Sequence, residues 1–158
     1  YAVVVVLHRL RNVSSDMTHV LEMGRPGLCI LEPDDKAPLE LGCVYLAPQN
    51  YHLLVENDKT FSLDYSEFEH FSRPAIDATF QSVAEVFGPR AVAVLLSGAN
   101  ADGAGGLAWL AEAGARCVVQ DPATAQYPIM PREALNRVPN CALLRPGDAR
   151  TFLTSLLL

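Results

Sequence analysis

Three stretches of the chain are apolar at successive positions. Val3-Val4-Val5-Val6-Leu7 and Ala91-Val92-Ala93-Val94-Leu95-Leu96 are the longest, and Cys117-Val118-Val119 is shorter. Continuous apolar runs rich in β-branched residues suit strands covered on both faces, as in a parallel sheet. Between the second and third runs, residues 104–113 are rich in Ala and Leu and end at Gly114. This order of strand, glycine-rich turn, helix and strand predicts a βαβ unit. Ile76, Phe80, Val83, Ala84 and Phe87 recur at helical spacing, predicting a helix over 74–87 that opens on Pro74 and stops at Gly88-Pro89. A further helix is predicted after Asp16, and a last one over 148–157.

Residues 28–63 follow a different pattern. Short strands are predicted at 42–46, 52–55 and 60–63, separated by Pro48-Gln49-Asn50 and Asn57-Asp58-Lys59. Such turns suggest an antiparallel ribbon. The expected fold is α/β, Rossmann-like and three-layered: a mainly parallel sheet with helices on both faces and an antiparallel β-ribbon insertion. Residues 1–158 are expected to form one domain, with the strands at 2–7, 91–96 and 117–119 in one sheet. Because Tyr1 leads directly into what reads as a central strand, this domain is expected to be N-terminally incomplete.

Composition narrows the class. Half of the 158 residues are hydrophobic and 19% are charged, which excludes a disordered acidic tail. A chain of this length can bury roughly 70% of its unfolded surface. With 12 Lys+Arg against 18 Asp+Glu, the net charge of −6 argues against a nucleic-acid partner held by phosphate contacts. Cys29, Cys43, Cys117 and Cys141 form no CxxC pair, and no His/Asp/Glu set has metal-ligand spacing, so neither a metal nor a cofactor is expected. The first apolar run is far shorter than the ~20 residues of a membrane helix. It also lacks the pattern of a signal peptide, so a cytoplasmic location without membrane insertion is expected.

Two residues stand at the carboxyl ends of predicted parallel strands, where ligands and catalytic groups collect in such sheets. His8 follows the first run. Asp102 lies in Leu96-Ser97-Gly98-Ala99-Asn100-Ala101-Asp102-Gly103-Ala104-Gly105-Gly106-Leu107, which opens the helix after the second run. This loop fits neither Gly-x-Gly-x-x-Gly nor a Lys-Ser/Thr phosphate pattern. Asp102 either caps the helix at Gly103 or serves chemistry, and its spacing permits both. An Asp orienting an imidazole is two-thirds of a nucleophilic triad. The nucleophile is not evident: Ser97 lacks a Gly-x-Ser-x-Gly elbow, and Ser14 and Ser15 read as a helix start. His19, His52 and His70 read as solvated or core-packed.

Several segments together resemble the catalytic domain of chemotaxis protein-glutamate methylesterases, the CheB family. They are Val3-Val4-Val5-Val6-Leu7-His8, Ala47-Pro48-Gln49-Asn50-Tyr51-His52, Arg73-Pro74-Ala75-Ile76-Asp77, the loop 96–104, Gln120-Asp121, and Met130-Pro131-Arg132-Glu133-Ala134. They occur in the family's order. The resemblance implies a Ser-His-Asp carboxylic ester hydrolase that removes methyl groups from receptor glutamates and deamidates receptor glutamines. His8 would be the general base, Asp102 its partner, and the Ala99 backbone N–H an oxyanion donor. Methyl-accepting chemotaxis receptors are the implied partners, with a receiver or methyltransferase domain as a further one. Three departures stand out. No Gly-Ala-Ser-x-Gly-Gly-like segment is present, Arg9-Leu10 follows His8 where the family has Met-Pro, and Ala99-Asn100 replaces Met-Gly. The alternative reading is a non-catalytic receptor-binding or regulatory relative that retains the fold.

Overall fold

A computed structural model describes residues 1–10, 13, 15–24 and 27–156. Ser14 and Leu157, the latter within the predicted last helix, lie outside the described residues. The elements in chain order are β1 (Val3–Val5), α1 (Met17–Gly24), β2 (Cys29–Leu31), β3 (Cys43–Leu46), β4 (His52–Val55), β5 (Phe61–Asp64) and α2 (Ile76–Phe87). They continue with β6 (Val92–Leu95), α3 (Ala104–Glu112), β7 (Arg116–Gln120), α4 (Ile129–Arg137), β8 (Ala142–Leu144) and α5 (Ala149–Ser155).

The architecture is three-layer α/β, with parallel sheets flanked by helices and a small antiparallel sheet. Two details differ from the sequence expectation. The parallel strands form two three-stranded sheets, ordered β1-β3-β2 and β6-β7-β8, so β1 does not share a sheet with β6 and β7. An unbroken apolar run reports cover on both faces, but it does not choose the hydrogen-bonding neighbour. Residues 42–46 also leave the predicted ribbon. As β3 they pair in parallel with both β1 and β2, and only β4 and β5 form the antiparallel pair. Turn residues marked the end of this strand correctly but did not make it a hairpin partner. Among the described residues, β1 pairs only with β3 and β6 only with β7.

Helix α2 joins the two halves. One buried cluster gathers Leu95, Leu107, Leu110, Val119 and Met130, and the other Tyr45, Leu53, Val55 and Phe61; Val83 and Phe87 of α2 pack against both. The close approach of α2 to α3 depends on Gly106. A Cβ there would lie 2.6 Å from the Phe80 Cβ and 3.0 Å from the Asp77 carbonyl oxygen. The start of α2 and the carboxyl ends of β1 and β6 are thereby brought to one place.

Candidate active site

His8 lies just beyond β1 and Asp102 just beyond β6, and the fold joins them. The His8 Nε2 is 2.6 Å from the Asp102 Oδ2. The carboxylate is fully buried, while 29% of the imidazole side chain is exposed. One member is thus fixed in the protein and the other faces outward.

Asp102 does not cap its own helix. The N-cap of α3 is Gly103, at φ 86°, with no side-chain cap. The Asp102 carboxylate instead accepts the first two backbone N–H groups of α2, from Ile76 at 2.7 Å and Asp77 at 2.9 Å. Burial pushes its pKa up, but the hydrogen bond from His8 and those from Ile76 and Asp77 outweigh that and hold it below the usual carboxylate value. An anion at a helix N-terminus gains in the same sense from the helix dipole. A carboxylate kept charged can only accept, so Nε2 of His8 carries the proton and Nδ1 of the neutral ring is the free base.

The start of α2 is itself held from behind by His52. This imidazole is fully buried. Its Nδ1 accepts the Ala75 N–H at 3.1 Å, and its Nε2 donates to the Glu67 carbonyl at 2.9 Å. His52 is therefore core-packed, as its sequence surroundings allowed, and it supports the helix end that binds Asp102.

The loop after β6 is clamped on its other side. Tyr127 N–H donates to the Ser97 Oγ at 3.1 Å, Gly98 N–H to the Tyr127 carbonyl at 2.9 Å, and Met130 N–H to the Gly98 carbonyl at 3.0 Å. The Ser97 hydroxyl thus serves the loop. Ala99 is exposed, and among the described residues its backbone N–H has no acceptor. Asn100 accepts the Asp102 N–H at 3.1 Å and donates to the His70 carbonyl at 3.3 Å.

Sequence reasoning missed a second His–Asp pair. His70 Nε2 lies 3.1 Å from the Asp77 Oδ2, and the other oxygen of Asp77 accepts the Gly106 N–H at 2.5 Å. His70, Asp77 and Asp102 bring potential metal-ligating atoms within 4.8 Å of one another. Each carboxylate oxygen in this group already accepts at least one hydrogen bond. His19 is exposed on α1.

Comparison with known proteins gives a consistent picture. The family model described as "CheB methylesterase" matches residues 1–151. A putative protein-glutamate methylesterase/protein-glutamine glutaminase of Leptospira interrogans is 43% identical over 136 residues, spanning 84% of this chain and 68% of that protein. The protein-glutamate methylesterase FrzG of Myxococcus xanthus is 39% identical over 108 residues, 68% of this chain but 32% of FrzG. The chain therefore spans about a third of that longer relative. The crystal structure of the Thermotoga maritima CheB methylesterase catalytic domain superposes with a TM-score of 0.86 at 27% identity, covering 97% of this chain and 82% of that one.

Proposed function

The chain belongs to the CheB methylesterase family, and from that premise we propose that it is the base-bearing part of a protein-glutamate methylesterase and protein-glutamine glutaminase. Its relatives are named as carboxylic ester hydrolases of this kind. The observation that carries the proposal is the 2.6 Å bond between the outward-facing His8 and the buried Asp102.

In this reading Asp102 holds the Nε2–H tautomer and stabilises the imidazolium, while Nδ1 takes the proton of an attacking serine. In this reading that serine is supplied from outside residues 1–158, and the Ser97 hydroxyl, engaged by Tyr127, serves the loop. The serine Oγ bonds to the ester carbonyl carbon, and the carbonyl oxygen becomes an oxyanion beside the Ala99 N–H. His8 then returns the proton to methanol as the C–O bond breaks. Water repeats the sequence to release the glutamate carboxylate. With a glutamine substrate, ammonia leaves in place of methanol.

Cytoplasmic chemotaxis receptors are the proposed substrates, and residues 1–158 form one domain. Among the described residues no helix is long and apolar enough to cross a membrane. The test is methanol release from methylated receptor by the natural protein that contains this chain. His8→Ala should abolish release while receptor binding persists. Receptor binding without any release by the unaltered protein would favour the non-catalytic relative.

A further inference from the structure

Beside His8 lies a small cleft, with a cavity volume of about 40 Å³, lined by His8, Arg9, Phe71, Ser72, Arg73 and Pro74. Its walls hold two guanidinium groups whose Nε atoms are buried and have no hydrogen-bond partner. Buried donors are nearly always paired, so two such orphans at one cleft call for an explanation.

The two arginines are not equivalent. Arg9, with 6% of its side chain exposed, is neutralised by Glu32 at 2.7 Å and also donates to the Ala47 carbonyl at 2.5 Å. It ties the chain after β1 to the ends of β2 and β3. Arg73 has no such direct ion pair; its charge acts on the Asp64 carboxylate only at longer range. It donates to the carbonyls of Tyr65 at 3.1 Å and Ser66 at 2.6 Å, and its guanidinium lies over the rings of Tyr65 at 3.7 Å and Phe68 at 4.4 Å. Among the described residues no carboxylate comes within salt-bridge distance of it. Asp64 is turned to Ser66, whose N–H and O–H it accepts at 3.0 and 2.6 Å. A partly buried cation whose direct partners are carbonyls and ring faces can take an incoming anion.

The rim adds an apolar contact. His70 and Phe71 form a tight turn with φ values of 48° and 63°, closed by the paired backbones of Glu69 and Ser72. Two successive left-handed residues are the setting where Asn and Gly are usual. Here the turn instead holds Phe71 95% exposed at the cleft mouth.

We propose that this cleft is a specificity subsite for a second acidic side chain of the protein substrate, its carboxylate on Arg73 and its apolar stem against Phe71. This rests on the esterase reading for its substrate class. It assigns Arg73 the choice of which glutamate is presented to His8: one with an acidic neighbour.

The test needs no turnover and uses the 158-residue chain with synthetic peptides. Each peptide carries glutamine at the esterified position and either glutamate or glutamine at the positions flanking it within a few residues. Fluorescence polarisation at low salt should show the glutamate peptide binding about tenfold tighter, a preference that shrinks as salt rises. Arg73→Gln should remove the preference and leave the neutral peptide within about twofold, while Phe71→Ala should weaken both peptides alike. Equal binding of the two peptides to the unaltered chain overturns the proposal without reference to any variant. Retained preference in a folded Arg73→Gln chain overturns it too. Methanol release without the preference would leave the esterase reading standing and remove the subsite; the preference without methanol release would do the reverse.

Discussion

The carboxylate of Asp102 accepts the backbone N–H of Ile76 at 2.7 Å, so a residue that follows β6 caps the start of α2. The same oxygen takes the His8 Nε2–H at 2.6 Å. One buried oxygen thus joins β1, β6 and α2, and the orientation of His8 depends on where α2 begins. His52 fixes that point from behind through Ala75.

The first prediction follows from His52. Replacing it with Ala removes two hydrogen bonds from a fully buried site, leaves the Ala75 N–H and the Glu67 carbonyl unpaired, and opens a cavity. Destabilisation of about 2–4 kcal/mol is expected. Urea unfolding of the 158-residue chain measures it, and a loss below about 1 kcal/mol would show that α2 holds its own N-terminus.

Gly98 offers a test of the loop clamp. A Cβ at Gly98 would lie 2.3 Å from the Met130 Cε and 2.6 Å from its Sδ. Gly98→Ala should cost about 1–3 kcal/mol by overpacking. Met130→Ala alone should cost about 2–5 kcal/mol, since Met130 is a buried core residue. The double variant should be more stable than the sum of the two losses by at least about 0.5 kcal/mol, because the clash and its cause are removed together. Strict additivity would mean that Met130 does not define the loop.

Much of the fold was legible because it was written in runs of like residues. The 3.6-residue recurrence from Ile76 to Phe87 and the apolar stretch around Val92–Leu95 gave elements nearly at their observed bounds. Sheet membership was not legible: β1 and β6 have the same apolar pattern but pair in different sheets. Within the site, His8 and Asp102 were found by their shared strand-end position. Asp77, His70 and Arg73 were not, because each acquires its role from a contact set by tertiary packing, such as the 3.1 Å approach of His70 to Asp77. Asp102 itself carried an ambiguous signal. Asp before a glycine-rich helix start reads as an N-cap, and only the structure shows the capped helix to be α2.

Ser97 provides a check on the origin of the nucleophile. Its Oγ receives the Tyr127 N–H at 3.1 Å and sits in the loop clamp. Ser97→Ala should cost about 1 kcal/mol in stability. In the natural protein containing this chain it should leave turnover within about tenfold, a shift of the loop by less than about 1.4 kcal/mol in barrier. A loss of several orders of magnitude in kcat would make Ser97 the attacking group and overturn an external serine.

Acid sensitivity follows from the lowered pKa of Asp102. Burial opposes the shift, while His8 and the amides of α2 drive it. A carboxyl whose folded pKa lies below its unfolded value of about 3.9 contributes stability that is present above that pH and lost as pH falls through the folded value. Asp58 and Asp64 are also lowered, by Thr60 and Ser66, but both are open to solvent and contribute little. The urea midpoint should therefore be level above about pH 4 and fall below it, with a shallower fall in Asp102→Asn. The same acid limb in both chains would show that Asp102 is not the group that titrates.

Turnover in Asp102→Asn separates capping from chemistry. Asn is as good an N-cap as Asp at an ordinary helix start, so a capping role alone would leave activity almost untouched. Here the carboxylate accepts from His8, Ile76 and Asp77 together. An amide offers one acceptor oxygen, and its NH₂ group must face either the imidazole or the N–H groups of α2. Facing the imidazole, it favours the tautomer with the proton on Nδ1, which cannot accept the serine proton, and it removes the charge that stabilises the imidazolium. Facing α2, it sets donor against donor at a buried site, at a cost of about 1–3 kcal/mol in stability. The corresponding change in a serine protease lowers kcat about 10⁴-fold. In the natural protein containing this chain we expect a loss of at least about 100-fold in kcat, with KM changed little because the substituted group does not reach the substrate. Full activity in a folded Asp102→Asn protein would leave Asp102 as the cap of α2 alone.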